Sequence, residues 1–141
     1  MSARFEELLG EGFNGNAPAA AAHVAAAERD VKKSLPGDFR DFLLVANGGE
    51  GMIGENYVML WSADELGQHN ESLQVNEYAP GLLLFGSDGG GEAFAFDTRA
   101  APPTVVIVPF VGMSLEEAKP VAPNFTAFLA KLARDGSLFR S

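Results

Sequence analysis

Cysteine is absent from this 141-residue sequence, and histidine occurs only twice. The chain can therefore form neither a disulfide bond nor a thiolate metal site, which fits a reducing cytoplasm. A lone histidine is more often a surface or core residue than a ligand, so His23 and His69 do not indicate a metal site. No apolar run is long enough to cross a bilayer, and the N-terminus lacks the apolar segment of a signal peptide. We therefore predict a cytoplasmic protein that uses no metal, cofactor or membrane segment.

Basic residues are missing from the middle of the chain, where acidic residues are frequent. The net charge is −9, and no lysine or arginine occurs from Asp41 to Thr98. That stretch holds ten carboxylates, namely Asp41, Glu50, Glu55, Asp64, Glu65, Glu71, Glu77, Asp88, Glu92 and Asp97. Such a field repels nucleic acid and anionic membranes and attracts basic proteins. On charge alone, a well-solvated acidic surface with no partner explains the pattern with fewer assumptions.

Sequence signatures of catalysis and of phosphate or metal binding are weak. Residues 10–15 and 49–54 both match G-x-G-x-x-G, but neither follows a predicted strand, as a dinucleotide site requires. Residues 88–92 offer two carboxylates in a glycine-rich turn but lack the alternating oxygen ligands of a calcium loop. There is no G-x-S-x-G elbow, and the spacing of the acids singles out no pair for acid–base chemistry. We predict no catalytic residue, and a carboxylate-dependent hydrolase stays open as an alternative.

The strongest structural pattern lies in residues 34–49, S-L-P-G-D-F-R-D-F-L-L-V-A-N-G-G. Pro36 can open a helix, and Asp38 suits the positive end of its dipole. Asn47, Gly48 and Gly49 form a stop signal. Apolar residues at three-and-four spacing predict a half-buried stripe of Leu35, Phe39, Phe42, Leu43 and Ala46. We interpret this segment as the central helix, on which most of the chain packs.

Other helices are predicted before and after this segment. A short helical turn is expected over residues 4–9, and a helix capped by Asn16 over residues 17–33. Ser62 and Glu65 have the spacing of a capping box, which predicts a helix to about Asn70. The last helix should begin at residue 123 or 124, bury Phe125, Phe128, Leu129 and Leu132, and end at Gly136.

Strands dominate the second half of the sequence. Residues 57–61, 82–86, 92–97 and 104–108 are predicted strands, and the last is apolar throughout, which favours a central position. Residues 50–56 and 73–81 are expected to be loops, and residues 111–121 fit either an edge strand or a loop. The order of elements predicts one α+β domain over residues 1–141, with its core at about 17–136. A mainly antiparallel sheet should pack against N-terminal, central and C-terminal helices.

Two aromatic residues are candidates for a binding surface. Tyr57 and Trp61 have the even spacing of residues on one strand face, and their polar tips suit an interface. Positions at the rim of the core explain the same pattern equally well.

The motifs, taken in order, resemble those of a known superfamily. Glu28 lies seven residues before L-P; L-P-G-D-F-R-D-F-L-L-V-A-N-G-G follows, then L-W-S-A-D-E-L, G-S-D-G-G-G-E-A-F-A-F-D and N-F-T-A-F-L-A-K-L. This series is similar to the SUKH superfamily, which joins fungal cell-wall synthesis regulators to bacterial immunity proteins. It covers about residues 20–132 and departs from the pattern after Pro109. The positions that match as structural motif are Glu28, Leu35, Pro36, Phe39, Phe42, Asn47, Gly48, Gly49, Gly86, Asp88 and Gly91.

The resemblance implies an α+β domain without enzymatic activity that binds other proteins. Bacterial members neutralise toxins, often nucleases, so we expect an immunity protein whose partner is a basic toxin domain and neither nucleic acid nor membrane. A constitutive regulatory adaptor, like the fungal relatives, is the alternative. The motif transfers no interface residue. From charge and loop position we predict partner contacts by Glu50, Glu55, Tyr57, Trp61, Asp88, Glu92 and Asp97.

Overall fold

A seven-stranded antiparallel sheet runs through the part of the chain that the computed structural model describes, residues 2–134 and 136. The strands neighbour one another in the order in which they occur in the sequence. They are β1 (Phe13–Gly15), β2 (Gly49–Ile53), β3 (Asn56–Leu60), β4 (Leu82–Ser87), β5 (Glu92–Asp97), β6 (Thr104–Pro109) and β7 (Lys119–Ala122). The sheet is therefore a meander whose two edges are β1 and β7.

Six α-helices and one 3₁₀ turn accompany the sheet in the described residues. The helices are α1 (Ser2–Leu9), α2 (Ala21–Val31), α3 (Gly37–Leu43), α4 (Ala63–Ser72), α5 (Val75–Tyr78) and α6 (Phe125–Arg134), and the 3₁₀ turn is Leu115–Glu117. None of the helices found there has the length and apolar character that a membrane span needs. The chain is an α+β domain, as the sequence predicts.

Phenylalanine rings fill the core between the sheet and the helices α1, α3 and α6. Phe39 of α3 lies at the centre, with its ring centroid 5.0 Å from Phe125 and 5.1 Å from Phe96. Phe85 stacks on Phe96 at 4.3 Å. Eight phenylalanines of the described residues are fully buried: Phe5, Phe39, Phe42, Phe85, Phe94, Phe96, Phe125 and Phe128. The burial predicted for the stripe of the central helix is confirmed for all five residues, but α3 is shorter than predicted, so Leu35 and Ala46 lie just outside it.

Two polar side chains, Asp38 and Asn56, connect distant segments at the border of this core. Asp38 Oδ2 accepts hydrogen bonds from the backbone N–H and the hydroxyl of Thr126, both at 2.9 Å. The acid therefore stabilises the start of α6, and not only its own helix as the sequence suggests. Asn56, which is buried, donates from Nδ2 to the carbonyls of Leu132 (2.9 Å) and Gly136 (2.8 Å) at the end of α6.

Several predicted elements are confirmed with small shifts of their ends. The helix from Ser62 and the last helix correspond to α4 and α6, and the four strands of the second half correspond to β3, β4, β5 and β6. All four residues from Val105 to Val108 are buried, as expected for a strand covered on both faces. Residues 111–121, which the sequence left open, contain the 3₁₀ turn and the edge strand β7.

The loop predicted over residues 50–56 is wrong, because these residues belong to the β2–β3 hairpin. Glycine hides the strand pattern here. A Cβ on Gly49 would lie 2.3 Å from the Asn14 carbonyl oxygen, and one on Gly51 would lie 2.3 Å from that of Gly12. Glycine is needed because the two backbones approach closely, and local sequence does not show this.

The other corrections concern the chain around β1 and α5. The second helix begins at Ala21 and not at residue 17, since residues 17 and 19 hydrogen-bond with Asn47 and Leu43 near the end of α3. Asn16 is not its cap, and its side-chain amide donates to the Asn47 carbonyl at 2.9 Å. Residues 13–15, immediately before Asn16, form β1, which the sequence did not predict. Residues 75–78 form a helical turn that buries Val75, where a loop was expected.

Candidate partner-binding surface

The outer face of the β2–β3 hairpin carries exposed side chains of mixed character. In the register of the hairpin, Glu50 pairs with Met59 and Met52 pairs with Tyr57, so these four side chains share one face. The side chains of Met52 and Tyr57 are 43% and 38% exposed. Alternation along the strands therefore places an apolar pair and a carboxylate side by side on the surface.

Tyr57 and Glu50 are joined by a hydrogen bond in which the phenol donates to the carboxylate Oε2. This bond raises the pKa of Tyr57 above its ordinary value of 10.0, and desolvation and the negative charge of Glu50 act in the same direction. The hydrogen bond thus holds the carboxylate of Glu50 beside the ring of Tyr57 on the outer face.

The turn between β4 and β5 packs against this tyrosine. Asp88 Oδ1 accepts hydrogen bonds from the backbone N–H groups of Gly90 (2.8 Å) and Glu92 (3.2 Å), which fixes the turn. A Cβ on Gly89 would lie 3.0 Å from two carbons of the Tyr57 ring. The ring and the turn are thus in close contact, and the two hairpins form one continuous surface.

Glu92 lies among other charged groups at the start of β5. Its pKa is raised above the ordinary value of 4.5, mainly by burial and further by the negative charges of Asp88 and Glu117, while Lys119 lowers it. Carboxylates from the tip of the β4–β5 hairpin and from the 3₁₀ turn therefore lie near one another. By alternation, Glu92 lies on the side of β5 that carries Phe94, opposite to the side of the sheet that carries Tyr57. We define the acidic face as the rim that leads from the outer face of β2–β3 around this hairpin tip, formed by Glu50, Met52, Tyr57, Asp88, Glu92 and Glu117.

Three of the predicted contact residues lie outside the acidic face. Asp97 is at the other end of the six-residue strand β5, about 17 Å from Glu92. It forms an ion pair with Arg99 at 2.8 Å, and that guanidinium holds its pKa below the ordinary value of 3.8. Glu55 is exposed in the β2–β3 turn with its carboxylate beside Gly136, past the end of α6.

Trp61 is the clearest correction among the predicted contacts. It is only 8% exposed, and its ring packs against the tilted ring of His69 with centroids 4.3 Å apart. The strand ends at Leu60 and the chain then turns into α4, so the even spacing from Tyr57 does not extend the exposed face. Trp61 belongs to the core, and Tyr57 is the aromatic residue that the surface presents.

Met52 and Glu117 belong to the acidic face, and the sequence did not indicate them. Met52 lies in the segment predicted as a loop, where alternation with Glu50 was the one available signal. Glu117 lies in the 3₁₀ turn before β7, in a segment with no recognisable pattern.

The motif residues before and inside the central helix make structural contacts. Glu28 Oε2 accepts a hydrogen bond from the Leu35 backbone N–H at 2.7 Å and lies 3.8 Å from the Arg40 guanidinium. Pro36 is the residue immediately before α3. Asn47 Oδ1 accepts from the Ala63 N–H at 2.7 Å, which ties the end of the central segment to the start of α4.

The motif glycines differ in what the structure requires of them. Gly48 has φ 75°, and a Cβ there would lie 2.4 Å from the Leu60 carbonyl oxygen. Gly86 is packed as tightly against the Met59 carbonyl, also at 2.4 Å. A Cβ on Gly91 would meet nothing within 4 Å, so no steric contact explains that glycine.

Geometry for metal or dinucleotide binding is not found in the described part of the chain. Residues 2–134 and 136 contain no group of three or more histidine, aspartate or glutamate side chains placed to hold a metal ion. Of the two G-x-G-x-x-G segments, one runs from the end of α1 into β1 and the other lies in the β2–β3 hairpin. Neither has the strand–turn–helix order of a dinucleotide site.

The fold and the surface define an α+β domain built on an antiparallel meander, with acidic and aromatic side chains exposed on the β2–β3 hairpin and around the tip of the adjacent β4–β5 hairpin. Residues 18–131 match the model of the SMI1 / KNR4 family (SUKH-1), and the chain belongs to this family. The family includes toxin-immunity proteins and fungal regulators, and its domains are generally non-catalytic and bind protein partners. A search of curated proteins found no match to the chain.

Proposed function

We propose that this domain is an immunity protein that neutralises a bacterial toxin by covering a basic surface of the toxin with its acidic face. The observation that carries the proposal is the contact between the β2–β3 and β4–β5 hairpins, where Tyr57 touches both Glu50 and the turn after Asp88. Family membership supports the same class of function, since the family includes toxin-immunity proteins.

The composition of the acidic face suits a basic partner. A nuclease toxin needs positive charge to hold phosphates, so a surface with several carboxylates is complementary to its cleft. Stable protein interfaces also need a less polar centre that loses its water. Tyr57 and Met52 supply exposed apolar area beside Glu50, and tyrosine is a frequent anchor in interfaces.

The charged and apolar residues should influence different rate constants. Exposed carboxylates such as Glu50 and Glu117 act over distance, so they should mainly raise the association rate constant and make it depend on salt. Tyr57 contacts the partner only after docking, so its removal should mainly raise the dissociation rate constant.

The identity of the partner is tested by affinity capture with the full chain in its native host, with the product of the neighbouring gene present. We expect a protein that is toxic when expressed alone and harmless when this chain is co-expressed. Capture of a non-toxic host protein as the main partner would contradict immunity and support the regulatory adaptor.

The use of the acidic face is tested by Tyr57→Ala, with Tyr78→Ala as the matched control. Tyr78 is 52% exposed on α5, so Tyr78→Ala removes a similar surface ring outside the acidic face. We expect Tyr57→Ala to weaken toxin binding about tenfold or more and to reduce protection of cells, with Tyr78→Ala close to wild type. Equal effects of the two substitutions would overturn the assignment of the surface.

A further inference from the structure

One edge of the sheet presents backbone groups that no described residue hydrogen-bonds. The Met52 N–H donates to the Gly12 carbonyl at 3.0 Å, and the Asn16 N–H donates to the Gly48 carbonyl at 2.9 Å. In an antiparallel pair the bonded positions alternate, so Asn14 bonds towards β2 while Phe13 and Gly15 point their N–H and C=O groups away from it. Within residues 2–134 and 136, these outward groups have no hydrogen-bond partner.

A groove of about 860 Å³ lies along this open edge, between the end of α1, β1 and the end of α3. Apolar side chains form much of its lining, including Leu9, Phe13, Val45 and Leu44, and Leu44 is 43% exposed. The charged residues that line it are Glu6, Glu7 and Glu11, and no lysine, arginine or histidine is among its described lining residues. The groove thus combines an apolar lining with negative charge.

The opposite edge of the sheet is built differently. β7 contains Lys119 and Pro120, and proline has no backbone N–H to offer a further strand. Lysine and proline are two of the features by which edge strands avoid pairing with other chains. β1 contains neither, although it is an edge as well.

We propose that the β1 edge binds an extended, basic segment of a protein partner, which adds to the sheet as a further strand. Main-chain hydrogen bonds would form with Phe13 and Gly15, as in other cases of strand addition. Side chains alternate along a strand, so every second one would enter the apolar groove, and lysine or arginine would lie near the three glutamates. A second copy of this chain is disfavoured, because it carries the same acidic groove and a net charge of −9.

This proposal is independent of the proposed function, because it concerns another surface and needs no toxin for its test. The probe is a synthetic seven-residue peptide of alternating lysine and valine, added to the full-length, isotope-labelled chain. We expect the amide protons of Phe13 and Gly15 to exchange about tenfold more slowly at a peptide concentration about ten times its Kd. The Asn14 amide, which already bonds to β2, should change little.

Control peptides separate this mode of binding from others. The same peptide with glutamate in place of lysine should not bind, and one with proline at the central positions should not protect either amide. No binding of the lysine–valine peptide up to about 1 mM, or protection that lies elsewhere, would overturn the proposal. A helical basic peptide that binds equally well, or a dimer in which these amides are already protected, would overturn it too.

Variants of the chain test the two contributions separately. Glu7→Lys with Glu11→Lys should weaken peptide binding about tenfold, while the control Glu71→Lys with Glu77→Lys makes the same change of net charge on α4 and α5. Gly15→Pro removes one outward N–H, so the peptide should no longer protect the remaining reporter, the Phe13 amide. Gly15→Ala keeps that N–H and makes the same 3.0 Å approach to the Ala46 Cβ. If Gly15→Pro fails to fold, the paired charge variants decide, and equal binding by both pairs contradicts the proposal.

Discussion

The two faces of the β2–β3 hairpin differ sharply, although their residues alternate along the same strands. Val58 is fully buried, whereas its neighbour Tyr57 is 38% exposed and bonded to Glu50. Ile53 and Leu60 join Val58 on the inner face. Residues that stabilise the fold and residues that we assign to partner binding are thus one position apart. Stability and binding should therefore respond to different substitutions.

The largest expected effect is on stability, from Phe39→Ala on the inner side. Phe39 is fully buried and its ring lies within 5.0 to 5.4 Å of those of Phe125, Phe96 and Phe85. Loss of the ring should lower the free energy of unfolding by about 3–5 kcal/mol, because a cavity remains. Urea denaturation measures it. A loss below about 1 kcal/mol would show that the core is not packed around this residue.

The next comparison uses adjacent residues of β3. Val58→Ala should lower the free energy of unfolding by about 2–3 kcal/mol, since two buried methyl groups are lost and a cavity forms. Tyr57→Phe removes only an exposed hydroxyl and should leave that free energy close to wild type. Urea denaturation of both variants is the measurement. If Tyr57→Phe destabilised the fold as much as Val58→Ala, the two faces would not be separable.

Asn56→Ala should have an intermediate effect. Its buried amide donates to two carbonyls at the end of α6, and those carbonyls would lose their partner. We expect a loss of about 1–3 kcal/mol in the free energy of unfolding. Asn14→Ala is the control, because Asn14 is exposed on β1. Equal losses for the two variants would contradict a special role of the Asn56 contact.

The smallest expected effect is a change in the pKa of Tyr57 on the outer face of the hairpin. Glu50→Ala removes both the hydrogen-bond acceptor and the negative charge that raise the pKa of Tyr57, so this pKa should fall towards 10.0. Because the folded-state pKa is raised, the wild type should lose stability as pH rises above 10.0 through that pKa, and the variant should lose less. NMR titration of Tyr57, with Tyr78 as an internal reference, measures the shift. An unchanged Tyr57 pKa would show that the contact with Glu50 does not persist in solution.

Local sequence signals predicted those elements whose apolar spacing or capping residues can be recognised within the element itself. The stripe from Leu35 to Ala46 is visible at helical spacing, and Ser62 with Glu65 predicts the start of α4, where the Ser62 N–H donates to Glu65 at 2.9 Å. β2 was missed because Gly49 and Gly51 leave no side chain to alternate. Glycine is required at these two positions because β1 approaches closely, and that approach depends on the tertiary fold.

The acidic face was predicted only in part, because it depends on strand register. Glu50 and Tyr57 come from one hairpin, but the contact of Tyr57 with Gly89 requires the pairing of Met59 with Ser87 across 28 positions. Trp61 was placed on the surface by counting from Tyr57, although the strand ends before it. Spacing along the chain predicts which residues share a strand face and does not predict where the strand stops.

The most direct test is the association rate constant of the protein partner identified by affinity capture, measured with three forms of the chain at low and at physiological salt. The first form is the wild type, and the second carries Glu50→Lys with Glu117→Lys on the acidic face. The third is the control Glu71→Lys with Glu77→Lys, which has the same net charge as the second form. We predict that the first pair lowers the rate constant about tenfold at low salt and flattens its salt dependence, while the control changes it much less. Equal slowing by both pairs would mean that overall charge acts without a specific surface, and it would contradict the central claim.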